Sequence, residues 1–215
     1  MKKGKTLEPG LLASDSDWHN NACLNYMPDH GTAYTEGYRR AADILINHID
    51  ESGRDQDFLV YPVLFLYRHH LELLIKQIIG LALALAEDPD KHQYKKDDHN
   101  LNNLWPLAQK LILEVDDSYR PSDFKIVKEV VKALHQADER ATDFRYAKRN
   151  DGTRSLEGIH YVNTRCFGEK WERLPIYLTG PTTASGTCWT VRPNGIKFWT
   201  ASDSQKRREK SIRLT

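Results

Sequence analysis

The sequence predicts an all-α fold: a helical bundle of about five helices, with a small C-terminal β-hairpin. Three observations predict it. Apolar residues recur at three-to-four spacing in separate segments between positions 32 and 180, the signature of amphipathic helices. One segment, "FLVYPVLFLYRHHLELLIKQIIGLALALA" (Phe58 to Ala86), is apolar on nearly all sides and must lie at the centre of a bundle. Near the end, "TCWTVRPNGIKFWT" sets two short aromatic and β-branched runs around Pro193-Asn194-Gly195, a hairpin signal.

The elements follow in order. Residues 1–31 show no periodicity and read as an irregular arm. From Thr32, the positions Tyr34, Tyr38, Ala41, Leu45 and His48 or Ile49 line one helical face, and Gly53 ends it. The second helix runs from near Asp57 to about Glu87, with Pro62 in its first turns. Asp98 or Asn100 can cap the third, "LNNLWPLAQKLILEV", with Pro106 in its first turn or kinking it. Ser122 is a good N-cap for the fourth, whose stripe is Phe124, Val127, Val130, Val131 and Leu134 and whose end falls between Glu139 and Thr142. "DFRYAKRNDGTRSLEG" is a loop built on Asn150-Asp151-Gly152. A fifth helix starts from about His160, carries Val162, Cys166, Phe167, Trp171, Leu174 and Leu178, and closes at Gly180-Pro181. The division expected is therefore an arm over 1–31, a bundle over 32–180, and a hairpin with a basic tail over 181–215.

Composition narrows the function classes. With 215 residues, 40% hydrophobic and 28% charged, the chain has the make-up of a globular protein with one substantial core. A formal net charge of +1 provides no global field for nucleic acid or a membrane, so any such partner must be met by a local patch. Three cysteines without a CxxC pair fit a reducing, cytoplasmic setting. "MKKGKTLEPG" lacks the apolar stretch of a signal peptide. The Phe58–Ala86 segment is the one suspect for a membrane span, but its charges fall at mid-depth, so no membrane association is expected.

The chemistry is expected in three places. Arg68, Glu72 and Lys76 are four apart and stack on one face of the second helix, with His69 beside them. Charges in so apolar a helix must be paired, and such clusters serve either a site or internal structure. His99 opens the third helix in "DDHNLNNLW" and can reach back toward the second. The loop after the fourth helix carries Arg145, Arg149 and Arg154 with Tyr146 among them, a mixture suited to phosphate and base contact. No HExxH, Walker loop, GxGxxG or GxSxG occurs, and His69 and His70 point about 100° apart on a helix, so neither a metal nor a cofactor is expected.

"YRHHLELLIKQII", a variable charged loop and then "HNLNNLWPLAQKL" resemble the HEPN superfamily over residues 32–180. The likeness rests on Glu72, Leu73 and Lys76, then on His99, Asn100, Leu101 and Leu104. It implies an all-α bundle acting on RNA in a bacterial defence or toxin–antitoxin setting. One form is a metal-independent endoribonuclease, usually a homodimer. The alternative is a non-catalytic dimerisation module that binds RNA, a nucleotide or a protein partner. The nucleases carry an Arg-x(4–6)-His motif near the start of the last helix, and here Arg154 and His160 have that spacing, with Ser155 after the arginine. The implied roles are a proton acceptor for His160 and phosphate stabilisation for Arg154. RNA or nucleotide contact would fall to Arg68, His69, Glu72, Lys76, His99, Arg145, Tyr146 and Arg149. A purely structural role for the Arg68-Glu72-Lys76 row stays open.

Overall fold

A computed structural model describes residues 13–24 and 30–174, and the backbone of 188–192 and 195–199. Residues 13–174, so far as described, are all-α. Five helices follow one another: α1 (His30–Ser52), α2 (Gln56–Leu85), α3 (Leu101–Val115), α4 (Lys125–Ala137) and α5 (Thr164–Glu172). α2 lies between α1 and α3, α4 packs on α3, and α5 packs on α1.

Local chemistry sets the helix ends. α1 starts at His30, two residues ahead of the arm boundary expected from periodicity. Gly53 closes it at φ 63°, in the left-handed region that suits glycine, with its N–H on the Ile49 carbonyl at 2.8 Å. Pro62 lies in the second turn of α2, among its first turns as expected, and Pro106 in the second turn of α3, one turn later than expected. Asn100 caps α3, its Oδ1 accepting from the Asn102 N–H at 2.9 Å. Asp98 steadies the entry by accepting from the Asn100 N–H and the Asn103 amide. Asn100→Ala should therefore cost about 1 kcal/mol, read as a lower urea midpoint with unchanged slope.

Three helix boundaries differ from the periodic pattern, each for a local reason. Ser122 does not cap α4. It sits inside a 3-10 turn, Pro121–Phe124, in which Asp123 accepts from the Arg120 N–H at 2.8 Å, and α4 begins only at Lys125. α4 then stops at Ala137 because the Asp138 carboxylate takes the N–H groups of Thr142 (2.7 Å) and Asp143 (2.9 Å), and Ala141 turns the chain at φ 60°. α5 begins four residues after His160, where Asn163 caps it by accepting from the Cys166 N–H at 2.9 Å. Leu178 and Gly180-Pro181 lie outside the described residues, as does the basic tail. Of the C-terminal segment only the backbone of β1 (Cys188–Arg192) and β2 (Gly195–Trp199) is described, paired antiparallel with Cys188 opposite Trp199. The turn residues Pro193 and Asn194 lie outside the description.

The core gathers on α2. Leu71, Ile75, Ile79 and Ala82 are fully buried, and Leu101, Ala108 and Leu111 of α3 and Val127 of α4 are buried with them in one core. Trp105 and Phe124 meet edge to face with centroids 5.7 Å apart. On the other side Gly168 lets α5 come close to α1, since a Cβ there would stand 3.3 Å from the Ile46 side chain. Beside that contact Trp171 packs on Tyr67, whose hydroxyl donates to Asp43 of α1 at 2.7 Å. α2 is long and apolar enough to cross a membrane by length and composition, and half of its most apolar window is buried within the fold.

Candidate functional site

The residues singled out in the sequence separate into two neighbouring groups. The first is a buried clamp. Arg68 on α2 is 1% exposed, and its guanidinium is bonded on every side. Nη1 donates to Glu72 Oε2 (3.0 Å), Nη2 to the His99 carbonyl (2.9 Å) and Nε to the Asp138 carbonyl (3.3 Å). Glu72, also 1% exposed, uses its other oxygen for Lys76 Nζ at 3.0 Å and His99 Nδ1 at 2.7 Å. One arginine and one glutamate thus tie together α2, the entry to α3 and the exit from α4. His99 is gripped twice, through its carbonyl and its ring, which explains why a histidine stands where a cap residue would suffice.

Burial pushes the Glu72 carboxyl up. Lys76, His99 and Arg68 together outweigh that and hold it below the ordinary glutamate value of 4.5. A carboxyl whose pKa is depressed in the folded state contributes stability above its unfolded pKa, and that contribution is lost as pH falls through the folded value. Acid unfolding should therefore set in below about 4.5. Glu72→Gln should be less stable at neutral pH and show a shallower loss between neutrality and acid, followed by circular dichroism in urea at each pH.

The second group lines a cleft of about 990 Å³ between the N-terminal turns of α2 and the segment joining α4 to α5. Arg145, Tyr146, Arg154 and His160 all face it, with Tyr61 from α2 and Tyr161. The loop is stapled by its own polar groups. Asp143 receives Arg149 through Nε and Nη2, the shortest contact being 2.6 Å. Asp151 accepts from both the N–H and the hydroxyl of Thr153 around Gly152, which lies at φ 84°. Lys148 and Arg154 form an antiparallel bridge, and the Ser155 N–H reaches the Ala147 carbonyl at 3.1 Å. Arg154 is thus held by its backbone at the neck of a small loop. Leu156, a cleft residue, sits at φ 56°, a strained conformation for its type.

His69 joins the two groups. Its ring stacks on Phe65 (5.6 Å, 7°) and meets Tyr38 edge on at 4.5 Å. Burial lowers its pKa, and the cations Arg68, Lys76 and Arg145 add to that effect while Glu72 opposes it, which favours the neutral imidazole. Arg145 continues the series. Its guanidinium carbon is 5.7 Å from the Phe65 centroid and 5.4 Å from that of Tyr146, and its Nε donates to the Ala141 carbonyl at 2.8 Å.

Arg68, Glu72, Lys76 and His99 are therefore brought together away from the cleft, with Arg68 and Glu72 buried and the His99 ring exposed. Arg145, Tyr146, Arg154 and His160 share the cleft. Arg149 is paired away from it. No hydrogen bond or ion pair links Arg154 to His160. Sequence reasoning missed Asp138, which joins the clamp to the cleft loop, because 70 residues separate it from Arg68. It also missed Tyr61 and Tyr161, 50% and 96% exposed, the first because it lies in an apolar run that reads as core. Among the described residues no group of three or more His, Cys, Asp or Glu is placed to hold a metal ion. Comparison with protein families, curated proteins and solved structures finds no match.

Proposed function

We propose that this is a HEPN-like, RNA-directed protein of the cytoplasm, a helical bundle with a C-terminal hairpin, acting as a metal-independent endoribonuclease in bacterial defence or a toxin–antitoxin pair. The observation that carries the reading is that Arg154 and His160 line one cleft together with Arg145 and Tyr146. Cleavage without a metal needs a proton acceptor at the ribose 2′-hydroxyl and a cation at the adjacent phosphate. His160 accepts the 2′-hydroxyl proton, the 2′-oxygen bonds to phosphorus, and the bond to the 5′-oxygen breaks, with water protonating the leaving oxygen. Arg154 offsets the charge that builds on the phosphoryl oxygens. The clamp of Arg68, Glu72, Lys76 and His99 then serves the site from behind, by fixing the exit of α4 from which the cleft loop departs.

The reading includes a homodimer, and the exposed Ile44 and Phe58 on α1 and α2 leave apolar surface for a second copy to cover. The deciding experiment is incubation of the pure protein with mixed RNA in EDTA, wild type against His160→Ala. A second reading, a non-catalytic module that binds RNA, a nucleotide or a protein, is favoured by the absence of any bond between Arg154 and His160. Binding without cleavage by either protein would select it.

A further inference from the structure

Resting on the RNA reading above, we infer that the cleft takes unpaired bases on a tyrosine platform, and that stacking rather than phosphate contact supplies most of its affinity. The arginines of the loop look at first like a phosphate-binding set, but the structure neutralises Arg149 on a carboxylate and seats Arg145 against aromatic rings. Arg149 is bound by both oxygens of Asp143. Arg145 is held by the Ala141 carbonyl and flanked by two rings. Of the lining cations, Arg154 alone has no side-chain partner among the described residues. The carboxylates of Asp57 and Glu157 line the same cleft and offset its positive charge. Such a surface is a poor track for a polyanion.

The aromatic groups point the other way. Tyr146 is 59% exposed and Tyr61 is 50% exposed, although both flank a cleft. Behind Tyr146 runs a supported series of planar groups from three segments of the chain: Arg145, Phe65, His69 and Tyr38. That support fixes the Tyr146 side chain before a ligand arrives, which reduces the ordering cost of binding. Bases in a duplex are already stacked and hide their faces, so a platform of this kind selects single strands.

The test uses the full chain and a fluorescently labelled 2′-O-methyl oligoadenylate, which lacks the hydroxyl needed for cleavage. Anisotropy is read for the single strand and for its duplex, between about 50 and 200 mM salt. The single strand is expected to bind about tenfold or more tightly than the duplex. Tyr146→Ala should weaken binding by about 5- to 100-fold, the effect of removing one stacked base. Tyr146→Phe should keep most of the affinity, and Tyr34→Ala, an exposed tyrosine on α1 outside the cleft, should change nothing. The plot of log K against log salt should be no steeper than about −1.5, as for one or two phosphate contacts to a single strand. Equal binding of duplex, indifference to Tyr146→Ala, or a slope of about −3 or steeper would overturn the platform and leave an RNA-binding protein. Failure to bind either probe would overturn the platform and the RNA reading together.

Discussion

Arg68→Ala is expected to destabilise the fold by about 3–5 kcal/mol, the largest stability effect expected of a polar substitution among the described residues. The substitution removes three hydrogen bonds at once, to Glu72, His99 and Asp138. It also leaves Glu72, 1% exposed, with its charge only partly answered by Lys76 and His99. Removing one charged partner of a buried carboxylate costs more than the pair contributed. Urea denaturation monitored by circular dichroism checks the value. Removing both charges tells more: Arg68→Met with Glu72→Leu should recover a large part of the loss, because the uncompensated charge goes with them. A double variant as unstable as the sum of the singles would mean that the clamp is not the coupled unit described.

The same clamp shows how far the sequence could be read. The row Arg68-Glu72-Lys76 follows from helical spacing alone, and the structure places its two salt bridges as that spacing requires. The demand for partners follows too, since an apolar helix cannot bury lone charges. Which partners answer it does not follow. His99 comes from the next helix entry and Asp138 from the far side of α4, and nothing local in "HQADERATDF" marks that aspartate as the one whose carbonyl meets Arg68. The five helices were legible because their apolar periodicity is strong. Their ends were less so, because Asp123, Asp138 and Asn163 decide them through side-chain bonds to backbone that leave little trace in hydrophobic pattern. Of the cleft, only the arginine-rich loop with Tyr146 in it was legible. Its internal pairing was not, and that pairing changes its chemistry by neutralising Arg149 on Asp143 and seating Arg145 against two rings.

His160→Ala should lower RNA cleavage by about 10²–10⁴-fold, the usual range for loss of a general base or acid. The side chain is exposed and lines the cleft, so the variant should melt within a degree or two of wild type, and a lost rate can be assigned to chemistry rather than folding. Arg154→Ala should cost about 10²–10³-fold through the phosphoryl charge it no longer answers. Arg154→Lys should recover only part, since a point charge replaces a planar fork. Both effects should fall on turnover more than on the apparent substrate affinity, because the two groups act on atoms whose charge changes only in the transition state. Tyr146→Ala should show the opposite division, with affinity falling and turnover of bound substrate largely kept. Equal cleavage by wild type and His160→Ala would remove the histidine from the mechanism. Loss of cleavage in Arg154→Ala alone would then move the search for the proton acceptor to the other groups that line the cleft, of which Glu157 and Asp57 are the carboxylates placed to serve.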